Sequence, residues 1–155
     1  MWLSERVLAI GLMGAMTMLG LDVYSSNMHA ADLNKTKDRI DNMFVSLDAF
    51  YSRHCGDVAK PTVTTTALVS GGLVVADDTN TPFGDALVPS IDWLTTPVHL
   101  TISTTVDNAL LDDFKRLLKP SSYLGNTLSW SRHPDISVSQ NETDLFKAMY
   151  EPGCF

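Results

Sequence analysis

The sequence predicts an α+β fold in which one long N-terminal helix, apolar all round in its first half, packs on a small antiparallel β-sheet. Three observations carry that expectation. No proline or turn cluster separates the apolar run at the N-terminus from the polar stretch that follows it. From Ile40 the apolar residues fall at Met43, Phe44, Leu47, Phe50 and Tyr51, which is helical spacing. Beyond Cys55 the texture changes to Thr, Val, Gly and Pro in short elements, several of which alternate apolar and polar positions.

The helix is expected from about Ser4 to about His54. Residues 7–21 carry no charge. That run is short for a membrane span, which needs about 20 apolar residues, although Met1, Trp2 and Leu3 extend it. Glu5 then falls inside a bilayer or at its edge, where a carboxylate costs roughly a few kcal/mol and calls for a partner. In the second half, from about Asn27, Lys35, Lys37, Asp38, Arg39, Asp41 and Asp48 are assigned to the solvent side of an amphipathic helix. The chain accordingly divides into a transmembrane segment, 1–25, and a globular domain, 26–155.

After Cys55, residues 64–70 (TTTALVS) followed by Gly71 and Gly72 read as a short helix with a Thr cap and a Gly stop, with a strand almost as well favoured by Thr and Val. Residues 79–85 (TNTPFGD) form a loop by their Asn, Pro and Gly content. Strands are expected near 86–94 and 97–105, with Val98, Leu100 and Ile102 on one face and His99, Thr101 and Ser103 on the other. Two more are expected near 126–132 and 135–140. Residues 107–119 read as a helix capped by Asp107, burying Leu110, Leu111, Phe114, Leu117 and Leu118 and ended by Pro120. The tail starts as a short helix and finishes at Cys154.

The 155 residues make one domain with a formal net charge of -7, which argues against nucleic acid as a partner. Part of the 45% apolar share is spent in the first 21 residues, so the body has a modest core and benefits from a staple. The two cysteines, Cys55 and Cys154, form one pair in an exported protein. Closing a loop of that length is worth about 4 kcal/mol in the chain-entropy model; two separate buried thiols are the other reading. The four histidines, His29, His54, His99 and His133, stand in no metal-ligand spacing, and no phosphate loop or nucleophile elbow appears. Neither an enzyme nor a bound metal or cofactor is expected. The tripeptide Asn141, Glu142, Thr143 fits an N-glycosylation acceptor, a short pattern with many false positives.

The order of these parts resembles the type IV pilins, in particular the type IVb class. The matching residues are Met1, Glu5 and the stretch Gly11-Leu12-Met13-Gly14, in the register where mature pilins of that class carry an initial Met, a Glu at the fifth position and a Gly-Ile-Met-Gly-like stretch. The segment ALVSGGLVVADDTNTPFG also resembles the pilin pattern of a short helix ending in Gly, a brief strand and an Asn/Thr-Pro-Phe-Gly loop. Arg6 stands where the family has an apolar residue, and it adds positive charge that holds this end in the cytoplasm.

The resemblance implies a pilin-like fold and a structural role: a major or minor pilin of a type IV pilus, or a pseudopilin of the related type II secretion filament. It implies storage in the inner membrane, recruitment by the pilus assembly platform, and polymerisation with other pilin subunits. Glu5 would face the N-terminal amine of a neighbouring subunit and set the stagger between helices. Gly11 and Gly14 would soften the helix, at about 1 kcal/mol each relative to Ala, or let helices approach closely. The competing reading is a secretory signal peptide with a cleavage site near Val23, leaving a secreted or signal-anchored periplasmic accessory or binding domain.

Overall fold

The computed structural model describes the backbone of residues 2–135 and Cys154, and the side chains of these from residue 27 onward. Helix α1 (Trp2–His54) runs unbroken for 53 residues. It is followed by α2 (Thr65–Ser70), a 3-10 turn (Ala76–Thr79), β1 (Val88–Asp92), β2 (His99–Thr105), α3 (Leu111–Leu118), β3 (Ser122–Leu124) and β4 (Thr127–Arg132). The four strands form one antiparallel sheet in the order β1-β2-β4-β3.

Alternation decides which face of the sheet meets α1. Leu100, Ile102 and Thr104 of β2, and Leu128 and Trp130 of β4, are buried, while Thr101, Ser103, Ser129 and Ser131 fall on the opposite face, as a period of two requires. Register aligns the hydroxyls in rows, so that Thr101 Oγ1 donates to Ser131 Oγ at 3.2 Å and Thr105 meets Thr127 at 3.0 Å. Against the apolar face lie Leu33, Ile40, Met43, Phe44, Leu47 and Tyr51 of α1, all buried. The expected stripe is the one that packs.

Local signals explain the short elements. Thr64 caps α2, its Oγ1 accepting the Ala67 N–H at 3.1 Å, and Gly72 takes φ +68 just past the helix end. The strand alternative for 64–70 is therefore not adopted. The brief strand implied for the segment after Gly72 is absent as well; the chain there forms the 3-10 turn and a single bridge, Asn80 to Ala86, around the expected loop.

Asp107 does not cap α3. Its Oδ1 accepts from Ala109 N at 2.8 Å and its carbonyl from Leu110 N, making a separate turn after which α3 begins at Leu111. Leu117 was expected inside but is half-exposed: eight residues bury a narrow stripe centred on Phe114, and position 117 falls beside it. Strand β3 has no counterpart in the expectation. It exists because Gly125, at φ +61, closes a two-residue turn that folds residues 122–124 back on β4. The expected strand at 135–140 and the tail helix lie outside the described residues, apart from Asp135, which is not in a strand, and Cys154.

The last turns of α1 are enclosed on nearly all sides, with residues 46–52 all buried. Helix hydroxyls caught there are satisfied locally. Ser52 donates to the Asp48 carbonyl at 2.9 Å and Ser46 donates to the Leu73 carbonyl at 2.6 Å, tying the 73–78 segment to the helix. Replacing Leu47, with no exposed surface, by Ala should lower the unfolding free energy by about 2–5 kcal/mol. Val45→Ala on the exposed side should change it by less than about 0.5 kcal/mol. Urea denaturation of the two variants checks both values.

Candidate functional site

The residues proposed for assembly divide into two groups. Glu5, Gly11 and Gly14 belong to α1, but their side chains, like the whole of Met1, lie outside the described residues. Among the described residues no helix is long and apolar enough to cross a membrane; the side chains of the apolar run at 7–21 are outside that set. The second group, at the other end of α1, is where the helix is joined to the body.

Cys55, directly after α1, is bonded to Cys154 across a sequence separation of 99, and both are buried. The expected pair is therefore formed, and it fastens the end of the chain to the end of the helix. Around it the carbonyls at the end of α1 hold one cation. Lys60 Nζ donates to the Cys55 carbonyl and reaches the His54 carbonyl at 3.5 Å, where the helix dipole favours positive charge. The Lys60 ammonium also stands 5.4 Å from the centre of the Trp93 ring. That ring stacks on Tyr51 at 5.4 Å and donates its indole N–H to the Pro61 carbonyl at 3.2 Å.

Of the charged residues expected on the solvent side of α1, Arg39 is turned inward with 12% of its side chain exposed, and the larger departure is Asp48. It was assigned to the solvent side, yet its side chain is fully buried. Spacing explains why: Phe44, Asp48, Tyr51 and Cys55 fall four, three and four apart, so Asp48 sits within the apolar stripe. Its Oδ2 accepts from Arg132 Nη2, and its Oδ1 accepts the Asp135 N–H at 2.7 Å. Arg132 also lies over the Phe44 ring, 4.7 Å from its centre. One carboxylate thus binds the end of β4 and the chain beyond it to α1. Only the arginine at the end of a strand candidate hinted at this partner.

The histidines separate into distinct settings. His29 Nε2 lies 3.0 Å from Asp113 Oδ2 of α3 and its ring meets Phe83, which in turn meets the buried Phe114. His54 Nδ1 lies 2.7 Å from Asp57. His99 and His133, far apart in sequence, have ring centres 4.5 Å apart because β2 and β4 pair with Leu100 opposite Arg132. His133 Nδ1 lies 3.1 Å from the Val98 carbonyl. No cluster of three or more His, Cys, Asp or Glu able to hold a metal occurs among the described residues.

Comparisons with protein-family models, with curated proteins and with solved structures find no match. The arrangement itself is mechanical. It fixes a long helix, a sheet and the C-terminus to one another by a covalent bond, a buried ion pair and a capped helix end.

Burial pushes the Asp48 carboxyl above its ordinary range, and this outweighs the Asp135 N–H and Arg132, which pull it down; Arg132 is 41% exposed, so water screens its attraction. Burial, reinforced by Asp107, raises Asp85 against the lowering pull of Thr81. A raised carboxyl keeps its proton in the folded state after the unfolded chain has lost it. These groups therefore subtract stability as pH rises from 3.8 through their folded pKa values, and the loss is complete above them. Asp48→Asn should flatten that fall, read as the change in urea midpoint between acid and neutral pH. Reducing the disulfide should cost about 4 kcal/mol at either pH, and an unchanged midpoint in reductant would contradict the staple.

Proposed function

We propose that this chain is a structural subunit, major or minor, of a type IV pilus or of the related secretion filament, assembling through its N-terminal helix. The observation that carries this reading is the continuity of α1. A helix of 53 residues is about 80 Å long at 1.5 Å per residue, far longer than a body of this size needs. Among the described residues its contacts with the body run from His29 to its C-terminal end. The residues before that carry the Glu5, Gly11 and Gly14 pattern of the pilin resemblance. A head clamped to a rod at one end, with the rod's other end apolar, suits a subunit that transmits load through packed helices.

Glu5 has a definite task in this reading. It pairs with the N-terminal amine of the neighbouring Met1 in a low-dielectric bundle, where a half-made ion pair is costly. Inner-membrane storage and an assembly platform follow as partners before polymerisation. The exposed surface of the body then becomes the surface of the fibre.

Glu5→Ala should leave the melting temperature of the body unchanged and abolish incorporation into filaments, and Glu5→Gln should fail likewise because it keeps the shape without the charge. Electron microscopy of sheared filaments, with immunoblotting of the membrane fraction, reads both. Assembly of the Ala variant at wild-type level would sink the proposal. Intact mass of the native protein adds an independent check: loss of about two dozen N-terminal residues identifies a cleaved signal peptide instead.

A further inference from the structure

Two corners of the body expose apolar side chains that the fold leaves uncovered, and they carry opposite charge. On one, Leu117 of α3 and Tyr123 and Leu124 of β3 are 50%, 62% and 86% exposed. Strand β3 ends the sheet, has neither charge nor proline, and pairs on its outer side with no strand among the described residues. Lys115 lies over the Tyr123 ring at 4.2 Å, and the exposed Lys119 ends α3 beside it. Asp112 and Asp113 lie in the first turn of α3, and Asp113 is engaged by Arg116 at 2.8 Å and by His29.

On the other corner, Val75 is 67% and Val45 42% exposed. Ser46 bonded to the Leu73 carbonyl and Asn42 bonded to Asp78 at 3.4 Å hold the 73–78 segment along this part of α1. Asp41 and Asp77 are exposed here. Arg39 is turned inward on Asp78 and the Asn80 carbonyl. Lys37, one turn before Asp41, and Lys35, six residues before it, are the exposed cations on this stretch of α1, and Asp38 between them and Asp41 adds a further exposed carboxylate.

The corners lie on opposite edges of the sheet. The first adjoins β3. The second leads into β1, because Leu87 N donates to the Thr79 carbonyl and Asn80 bridges Ala86. Three strand spacings of about 4.8 Å separate β1 from β3, so a two-fold pair of molecules would satisfy one corner and leave the other open.

We propose that the α3–β3 corner of one copy of this chain docks on the Val45–Val75 corner of the next copy, with Lys115 and Lys119 facing Asp41 and Asp77. Such a head-to-tail contact is heterologous, and it propagates along a filament wherever its rotation does not close a ring. A partner of the same chain is favoured because one molecule carries both halves of the complementary pair, on opposite edges of its sheet. A few side chains on each side make a weak contact alone, so it gains strength from the high effective concentration within an assembled fibre. In that respect it rests on the subunit reading above, and it adds which faces of the body meet.

The test is oxidative cross-linking of the full chain in the membrane and filament fractions, with Val75→Cys and Leu124→Cys placed on the same molecule. A ladder of dimers, trimers and higher species that collapses in reductant is expected, whereas either single variant should give none. Lys119→Glu should reduce the ladder by about tenfold, and adding Asp77→Lys should restore it. Dimers from the Leu124→Cys single variant as abundant as the ladder would overturn the proposal in favour of a two-fold β3 contact.

Filaments without a ladder would overturn it and leave the subunit reading standing. Absence of both would overturn it too. A ladder in a Glu5→Gln background without filaments would support the contact and leave the role of Glu5 standing. If residues 136–153 of the same chain cover β3, Leu124→Cys will resist a small thiol reagent in monomeric protein, which also overturns the proposal.

Discussion

The carboxylate of Asp48, fully buried on α1, has to be met from outside its own helix, and much of the second half of the chain is arranged so that it is. Strand β4 ends with Arg132 against it, and the backbone turns at Asp135 to donate a hydrogen bond to its other oxygen. Removing one partner from such a pair leaves an uncompensated buried charge, which costs far more than the pair is worth in isolation. The interaction therefore specifies one placement of β4 on α1 rather than supplying bulk stability. Once β4 is placed, its register with β2 and β3 follows, and with it the sheet.

The disulfide acts on the same joint by different physics. It limits the unfolded chain rather than strengthening the folded one, and it does so at the end of α1, where a helix would otherwise fray. Lys60 on the terminal carbonyls and the Trp93–Tyr51 stack close the same end. Covalent, electrostatic and aromatic contacts thus converge on the last three turns of one helix. A force applied along α1 would be delivered to the most heavily fastened part of the body.

The surface has a different character. The outer face of the sheet is a set of serine and threonine rows that satisfy one another, so it has little need of a partner. Some of the uncovered apolar side chains lie at the two ends of the sheet, with lysines at one and aspartates at the other, while Met28, Val58, Val88 and Leu94 are exposed elsewhere. A chain with a net charge of -7 repels its own copies at long range. Association between copies of such a chain would have to rest on short-range contacts that outweigh this repulsion.

By itself the sequence determined the elements whose physics is local. The helix through His54, the Thr64 cap, the alternation of β2 and the Cys55–Cys154 pair are each written in neighbouring residues or in a count of two. Only the tertiary structure decided the rest. Asp48 is polar and was read as exposed, because periodicity places a residue on a face without saying how much of the helix is enclosed. Leu117 is apolar yet half-exposed, because an eight-residue helix buries a narrow stripe centred on Phe114 and the sequence pattern does not say how wide that stripe is. His99 and His133 meet through a strand pairing that no local pattern specifies. Burial is a property of what surrounds a residue, and the surroundings here come from chain segments up to about a hundred residues distant.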